Sequence, residues 1–148
     1  MLASVELRLQ ILDAEIQVPR RAYVGDAGLD LAARTRATLN AADGPAAVAT
    51  GLAVAIPDGY VGLVCPRSGL ALREGVTVLN APGVIDSGYR GEIMVILHRV
   101  IAGSYTIERG DRIAQLLVLP VAADLEVVVS PTLPDATRHL DGFGSSGR

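Results

Sequence analysis

An arginine, a serine and a glycine follow directly on an apolar run, at Arg67, Ser68 and Gly69. A strand that leads into a glycine-containing helical turn presents free backbone N–H groups, and such groups bind anions. The guanidinium of Arg67 can donate two parallel hydrogen bonds to a phosphate, and the hydroxyl of Ser68 adds a further donor. The segment predicts either a phosphate site or an ordinary strand-to-helix corner. It is not a Walker loop, because the chain contains no lysine.

Two carboxylates, Asp26 and Asp30, stand on either side of Gly28, where a strand is predicted to begin. Hard oxygen ligands of this kind suit Mg²⁺, which usually keeps part of its water shell. A capped turn with two solvated acids fits the same residues. Both a magnesium site and a surface turn therefore remain open at this point.

The stretch 80–92 carries the largest number of polar and conformationally special residues, and it leads into an apolar strand. Its Asp86-Ser87-Gly88 sequence is typical of a hairpin turn. The tip of a hairpin exposes backbone donors and acceptors that could pair with the edge of a base. Asp86 could serve there as a general base, and the flat ring of Tyr89 could cover a sugar. The alternative is a polar turn without chemistry.

The last two candidate sites are a buried glutamine and the C-terminal tail. Gln115 interrupts an aliphatic run, so it either satisfies a buried backbone group or faces a ligand. In the tail, Arg138 could bind a phosphate and Phe143 could stack on a base. The two histidines, His98 and His139, are too isolated for a metal cluster or a catalytic triad, and we interpret both as structural or surface residues.

The elements that position these residues are short strands. Apolar residues alternate with polar ones, or form brief aliphatic runs between Gly, Pro and Asp turns, which indicates a β-sandwich or barrel of jelly-roll type. One short helix is predicted over Ser68–Glu74. The predicted strands are Val5–Ile11, Leu31–Leu39, Val48–Ile56, Tyr60–Cys65, Val76–Leu79, Ile93–Val100, Tyr105–Ile107, Ile113–Leu119 and Leu125–Val129.

Length and composition limit the chain to one domain. Its 148 residues are half hydrophobic but only 3% aromatic, so the core is expected to be aliphatic. Residues 1–130 are predicted to form the β domain. Residues 131–148 lack periodicity and predict a C-terminal arm that becomes ordered only against another surface. The high apolar content also suggests buried subunit interfaces.

Several function classes are excluded by the same composition. The net charge is −3 and no basic run is present, so we expect no nucleic-acid partner. The longest uncharged stretch, Gly44–Pro57, is too short to span a membrane. The single cysteine, Cys65, cannot form an internal disulfide and is interpreted as a core residue. With no secretory pattern at the start of the chain, we expect a cytoplasmic protein.

Taken in order, the five segments are similar to the five signature motifs of the trimeric dUTPase family, over roughly Asp26 to Gly147. The resemblance implies an all-β jelly roll that assembles as a homotrimer. It implies Mg²⁺-dependent hydrolysis of dUTP to dUMP and pyrophosphate, which lowers dUTP and supplies dUMP for thymidylate synthesis. It further implies that each active site takes its motifs from different subunits, with the arm 131–148 closing over a neighbouring site.

The resemblance also implies a role for each matching residue. Asp30 would hold the water shell of Mg²⁺, and Asp86 would activate the attacking water. Tyr89 would pack on the deoxyribose. Arg138 would reach the γ-phosphate, and Phe143 would close over uracil. Phosphate binding would fall to Arg67, Ser68, Gly69 and Gln115, and the deoxyuridine pocket would be lined by Asn80, Gly83, Val84, Ile85 and Met94.

The tail departs from the family pattern at two positions, because His139 and Asp141 stand where glycine is expected. Asp tolerates a positive φ better than His does, and Asp141 brings a negative charge towards the triphosphate. Two other interpretations compete with the dUTPase one. A dCTP deaminase shares the fold, and a non-catalytic trimer could have kept the fold alone. The Asp86 hairpin and the Phe143 tail argue against the first, and the intact Asp86, Arg67 and Gln115 argue against the second.

Overall fold

The computed structural model describes residues 5–135. Within them the chain forms ten strands and one short helix, and the longest connection, residues 12–28, joins the first strand to the second. In chain order these are β1 Arg8–Ile11, β2 Leu29–Ala32, β3 Ala37–Asn40, β4 Ala46–Ala55, β5 Tyr60–Cys65, α1 Ser68–Glu74, β6 Val76–Val78, β7 Gly83–Ile85, β8 Glu92–Arg99, β9 Ser104–Ile107 and β10 Arg112–Pro120.

The strands form two four-stranded sheets and a small two-stranded sheet, and every pairing is antiparallel. The strand orders are β1-β4-β8-β6, β2-β10-β5-β7 and β3-β9. Neighbours in a sheet are mostly distant in sequence, so the chain crosses repeatedly between the sheets. This topology confirms the predicted all-β jelly roll.

The core between the sheets is aliphatic, as the composition predicts. Each large side chain removed from water here stabilises the fold by roughly 1.5–3 kcal/mol relative to exposure. Among residues 5–135, no helix is long and apolar enough to span a membrane. The largest fully buried apolar side chains are Leu31, Leu39, Leu52, Leu97, Ile107, Ile113, Leu116, Val76 and Val95.

The predicted bounds of Tyr60–Cys65 and Ser68–Glu74 agree with the structure. The single strand predicted over Leu31–Leu39 is wrong, because β2 ends at Ala32 and the chain bends at Arg34 and Thr35 before β3 begins. The Ala33 N–H donates to the carbonyl of Asp111, and the Ala33 carbonyl accepts from Gly110, both at 2.8 Å. These bonds hold the chain on the β9–β10 turn while β2 and β3 enter different sheets.

Two further expectations differ from the structure. Gly83–Ile85 forms strand β7, which pairs with β5, although the sequence predicts only a turn region there. The strand predicted over Leu125–Val129 is absent, and this segment is irregular and exposed. Its β-branched residues favour a strand, but strand formation also requires a hydrogen-bonding neighbour, and β10 already has β2 and β5 on its two sides.

The carboxylate of Glu92, the first residue of β8, fixes the start of that strand and the end of the loop before it. Glu92 Oε1 accepts a hydrogen bond from the N–H of Gly51 at 2.7 Å, and the side chain also pairs with Arg34 at 3.4 Å. Gly51 has a φ of 71° and lies in an irregularity of β4 between Ala49 and Ala53. Glycine reaches this left-handed conformation without the steric cost that a Cβ imposes.

The same cluster ties the N-terminal segment to the body of the protein through Asp13. Its carboxylate accepts hydrogen bonds from Arg109 Nη2 at 2.9 Å and from Arg34 Nε at 3.2 Å. The bond from Arg109, with help from the backbone N–H of Glu15 and from Arg34, lowers the pKa of Asp13 to about 2. Asp13 is therefore ionised in the fold at pH values where an unfolded Asp is already protonated.

We predict that Asp13→Asn lowers stability at neutral pH. Because the folded pKa is depressed, this contribution is fully present above about pH 4 and is lost as the pH falls towards 2. Urea midpoints should therefore differ between wild type and variant at neutral pH and converge near pH 2. Glu6→Gln is the control, since the Glu6–Arg8 pair is exposed and should contribute little. A gap that persists at pH 2 would contradict this assignment.

Candidate functional site

The first candidate site is a cavity of about 250 Å³ beside the predicted hairpin, which we call the hairpin cavity. Strands β5, β6, β7 and β8 form its walls, so its floor is aliphatic and its rim carries the hairpin. The five residues predicted to line the deoxyuridine pocket lie on it, and so does Tyr89, which was predicted to pack on the deoxyribose. The complete lining is Val64, Val78, Asn80, Gly83, Val84, Ile85, Tyr89, Ile93, Met94, Val95 and Ile96.

The connection between β7 and β8 is held by its own polar groups. The predicted β-hairpin is wrong, because β7 pairs with β5 in one sheet and β8 pairs with β4 and β6 in the other. This loop, residues 86–91, therefore joins the two sheets, and the word hairpin refers to this loop alone. The N–H of Tyr89 donates to the carbonyl of Asp86 at 3.0 Å, which closes the turn. Arg90 Nη1 donates to the carbonyls of Ser87 and Tyr89, and the Tyr89 hydroxyl donates to the carbonyl of Glu92 at 2.9 Å. The carboxylate of Asp86 is exposed, directly after β7, and lies at the rim rather than in the lining of the cavity.

The second candidate site is a larger cavity of about 620 Å³, which we call the arginine cavity. It contains every described residue predicted for phosphate or metal binding, and it gathers them from β2, β5, α1 and β10. Its lining is Ala22, Asp26, Ala27, Gly28, Asp30, Cys65, Arg67, Ser68, Gly69, Arg73, Arg112, Gln115 and Leu117.

The carboxylate of Asp30 joins two arginines at the centre of the arginine cavity. Oδ1 accepts a hydrogen bond from Arg67 Nε and Oδ2 accepts one from Arg112 Nη1, each at 3.1 Å. Arg67 Nη1 also donates to the carbonyl of Arg112 at 3.2 Å. The two guanidinium groups are thereby held side by side, which suits them to a ligand that carries several negative charges.

Gln115 is fixed by a hydrogen bond and by a glycine opposite it. Its Nε2 donates to the carbonyl of Pro66 at 2.9 Å. A Cβ on Gly28 would lie 2.3 Å from Gln115 Oε1, so only glycine leaves room for this side chain. One N–H of the Gln115 amide remains available to a ligand in the cavity.

The start of α1 supplies backbone donors beside Arg67. Arg67 has an extended backbone as the N-cap residue, and no side chain caps the helix. The first-turn N–H groups of a helix have no partner within the helix. Ser68 and Gly69 therefore offer unsatisfied donors in the lining of the arginine cavity, as the sequence predicts.

Three lining residues were missed as functional candidates. Arg112 pairs with Asp30, and Arg73 lies over Gly69, where an added Cβ would be 3.0 Å from Arg73 Nη1. Cys65 is half-buried and faces the arginine cavity, so its interpretation as a core residue is wrong. The turn sequence Gly110-Asp111-Arg112 before β10 could have identified Arg112. No local pattern identifies Arg73 or Cys65.

The two cavities share no lining residue, and on strand β5 they take successive residues. Val64 of β5 pairs with Gly83, and both line the hairpin cavity. The next residue, Cys65, pairs with Gln115, and both line the arginine cavity. Successive residues of a strand face opposite sides of its sheet. Within one copy of the chain the two halves of the predicted site are therefore separate cavities, which take neighbouring residues of β5 that point to opposite sides of the sheet.

The remaining predicted residues, Arg138 and Phe143, lie outside the described residues, as do His139 and Asp141. Within residues 5–135, no three His, Cys, Asp or Glu side chains cluster closely enough to hold a metal ion. Any metal in the arginine cavity would therefore need water or ligand oxygens in addition to the carboxylates of Asp26 and Asp30.

Solved structures with a similar fold include dUTPases of staphylococcal phages. A mutant of the dUTPase of Staphylococcus bacteriophage 80alpha, solved with dUpNHpp, superposes with a TM-score of 0.84 at 28% identity and covers 98% of this chain and 100% of that chain. A mutant dUTPase from phage phi11 of S. aureus, described for the coordination of a structural Mg(II) ion, has a TM-score of 0.71 at 25% identity and covers 90% and 97%.

Sequence relatives are closer. The enzyme named deoxyuridine 5'-triphosphate nucleotidohydrolase from Tropheryma whipplei strain Twist is 49% identical over 133 residues, covering 88% of each chain. Its namesake from Gloeobacter violaceus is 49% identical over 144 residues, covering 97% of each chain. The family model described as dUTPase matches residues 14–147. Since both the family model and these relatives span most of its length, the chain belongs to the dUTPase family.

Proposed function

We propose that the protein hydrolyses dUTP to dUMP and pyrophosphate, which removes dUTP and supplies dUMP for thymidylate synthesis. The observation that carries this proposal is the division of the site into a small aliphatic cavity beside a polar hairpin and a separate cavity that contains paired arginines. The first suits a nucleoside and the second suits a triphosphate. The dUpNHpp bound to the phage enzyme, an imido analogue of dUTP, agrees with this ligand class.

In the hairpin cavity, uracil would be recognised by backbone groups. Gly83 and Ile85 lie on β7, and Asn80 stands opposite Gly83, with its Nδ2 3.3 Å from where a Cβ on Gly83 would be. A backbone edge that pairs with uracil would leave polar groups unpaired against cytosine, which discriminates more strongly than a lost methylene. Met94 would fill the apolar side of the cavity, and Tyr89 would cover the deoxyribose.

In the arginine cavity, the triphosphate would meet Arg67, Ser68, Gly69 and Gln115. Arg67 offers a planar donor pair that its bond to Asp30 holds in place. The backbone of Ser68 and Gly69 adds neutral donors. Arg112 shares Asp30 with Arg67 and would add positive charge near the leaving pyrophosphate.

The arginine cavity fits a hydrated Mg²⁺ rather than an ion held by protein ligands alone. Its carboxylates are Asp26 and Asp30, and both oxygens of Asp30 already accept hydrogen bonds from arginines. Mg²⁺ commonly binds proteins through one or two carboxylates together with waters and substrate phosphates. Asp30 would hold the ion through its water shell. The bound ion would neutralise charge on the phosphate oxygens.

Asp86 would act as the general base. Its exposed carboxylate at the hairpin rim would accept a proton from a water that attacks the α-phosphorus in line. The bond from the α-phosphorus to the bridging oxygen then breaks, and pyrophosphate leaves. General-base catalysis contributes roughly 10²–10⁴-fold, so positioning and charge stabilisation by the arginines would supply the larger share.

We infer that the active protein is a homotrimer whose sites are shared between subunits. The separation of the predicted site into two cavities without a shared lining residue supports this, since a second copy could bring its arginine cavity to the first copy's Asp86 loop. The exposed segment 125–129 adds support, because Val127 and Val129 expose 85% and 96% of their surface in one chain. Apolar patches of this kind usually mark an interface.

The two-part division of the chain remains a proposal. Residues 1–130 would form the β domain, and residues 131–148 would form the arm that closes over a neighbouring site. Arg138 would then contact the γ-phosphate, and Phe143 would stack on uracil. The single cysteine fits a reducing compartment, so we place this activity in the cytoplasm, with no nucleic-acid or membrane partner.

One assay separates this activity from the other chemistry considered for the fold. The purified chain is incubated with Mg²⁺ and either dUTP or dCTP, and pyrophosphate and ammonia are measured. We expect pyrophosphate from dUTP and no ammonia from dCTP. Ammonia release would assign a deaminase, and absence of both products would leave a binding protein.

We predict that Asp86→Asn lowers kcat for dUTP by roughly 10²–10⁴-fold and leaves KM nearly unchanged, because an amide cannot accept the proton from water. Asp58→Asn provides a matched control, since Asp58 is exposed in the β4–β5 turn and belongs to neither cavity lining. Steady-state kinetics measure both variants. A kcat near the wild-type value for Asp86→Asn would remove Asp86 from its proposed role.

We also predict that Gly28→Ala weakens phosphate binding. The new methyl group would displace Gln115 and break its bond to Pro66. Inhibition by pyrophosphate should weaken roughly tenfold, which corresponds to about 1.4 kcal/mol. Gln115→Ala should give a similar loss, and the double variant should lose no more than either single one. Full pyrophosphate affinity in Gly28→Ala would show that Gln115 does not contact the phosphates.

A further inference from the structure

Gly91, two residues after Tyr89 in the hairpin, lies directly under the phenol ring. A Cβ built on Gly91 would be 2.5 Å from the Tyr89 hydroxyl oxygen, 2.7 Å from Cζ and 3.2 Å from Cε2. The ring is therefore in van der Waals contact with the Gly91 backbone. The hydroxyl is held there by its hydrogen bond to the carbonyl of Glu92 at 2.9 Å.

Backbone conformation does not explain the glycine at this position. Gly91 is not among the glycines with a positive φ, so an alanine can adopt its backbone torsions. Gly88, in the same hairpin, likewise has no positive φ, and a Cβ there would meet no atom within 4 Å. Of these two glycines, only Gly91 has the Tyr89 ring in the space that a Cβ would occupy.

We propose that Gly91 is a positioning residue that sets the selectivity of the site for deoxyribose over ribose. The absence of a side chain at Gly91 lets the Tyr89 ring lie down against the backbone at the rim of the hairpin cavity. This inference rests on the proposed function, in which that ring covers the sugar. A methyl group at position 91 lifts the ring and opens the space that a 2′-hydroxyl needs.

The expected effect of Gly91→Ala on stability distinguishes a positioning role of Gly91 from a purely structural one. The clashing atoms belong to the outer end of a side chain that is 44% exposed, so the ring can move into solvent at little cost to the fold. Gly91→Ala should therefore leave the melting temperature close to that of wild type. The displaced ring should change sugar discrimination, because a shift of about 1 Å in a positioning group has large kinetic effects.

The kinetic test compares kcat/KM for dUTP and UTP in four variants. We expect the dUTP:UTP ratio to fall at least about tenfold in Gly91→Ala, which is within the range for a group of methyl size. Gly88→Ala should keep the wild-type ratio. Tyr89→Ala should lower it, and adding Gly91→Ala to Tyr89→Ala should change it no further, because the ring that Gly91 accommodates is gone.

A second measurement does not depend on hydrolysis. The chain has four tyrosines, so ring-¹³C-labelled tyrosine gives a simple NMR spectrum in which Tyr89→Phe identifies the Tyr89 signals. These signals should shift in Gly91→Ala and stay in place in Gly88→Ala. If the wild-type protein does not hydrolyse dUTP, the proposed function fails while this comparison still tests the position of the ring.

Each of three results would overturn the proposal. The first is a wild-type dUTP:UTP ratio in Gly91→Ala. The second is a further fall in the ratio when Gly91→Ala is added to Tyr89→Ala. The third is a set of Tyr89 ring signals that Gly91→Ala does not move, which would show that the ring position is independent of residue 91.

Discussion

The arginine cavity depends on one interaction, the hydrogen bonds of the Asp30 carboxylate to two arginines. Asp30 lies on β2. Its carboxylate accepts hydrogen bonds from Arg67, which follows β5, and from Arg112, which begins β10. The two guanidinium groups are both positively charged, so they would repel each other without the carboxylate that binds both. The pairing of β10 with both β2 and β5 brings the three residues together, so sheet topology creates the electrostatic arrangement.

The same sheet imposes the second constraint. Because side chains alternate along β5, Val64 belongs to the hairpin cavity and Cys65 to the arginine cavity. In the proposed trimer, a second copy would bring its arginine cavity to a nucleotide whose base lies in the first copy's hairpin cavity. In that trimer, oligomerisation would complete the active site. The apolar segment 125–129, which is exposed in one chain, would then be buried against another subunit.

Sequence patterns predict the bounds of single elements in this protein well, and they predict contacts between residues distant in sequence poorly. Apolar patterning and turn residues are sufficient for the bounds of β5 and α1, because local sequence marks where each begins and ends, although it does not identify β10 and β7 as the partners of β5. The segment 125–129 has strand composition, yet a strand needs a partner that one chain does not provide. Arg112 pairs with Asp30 across 82 positions, and the contact of Gly28 with Gln115 also joins distant segments. Such contacts follow from topology, which short-range patterns do not encode.

The shared site is tested most directly by mixing chains. Arg67→Ala and Asp86→Asn chains, each nearly inactive, are denatured together in equal amounts and refolded; the double variant is mixed with wild type in the same way. If each site combines two subunits, random assembly restores about a quarter of the sites in both mixtures, since two independent choices of one-half must succeed. If one chain holds the whole site, the first mixture stays inactive and the second retains about half. That pair of results would contradict the account.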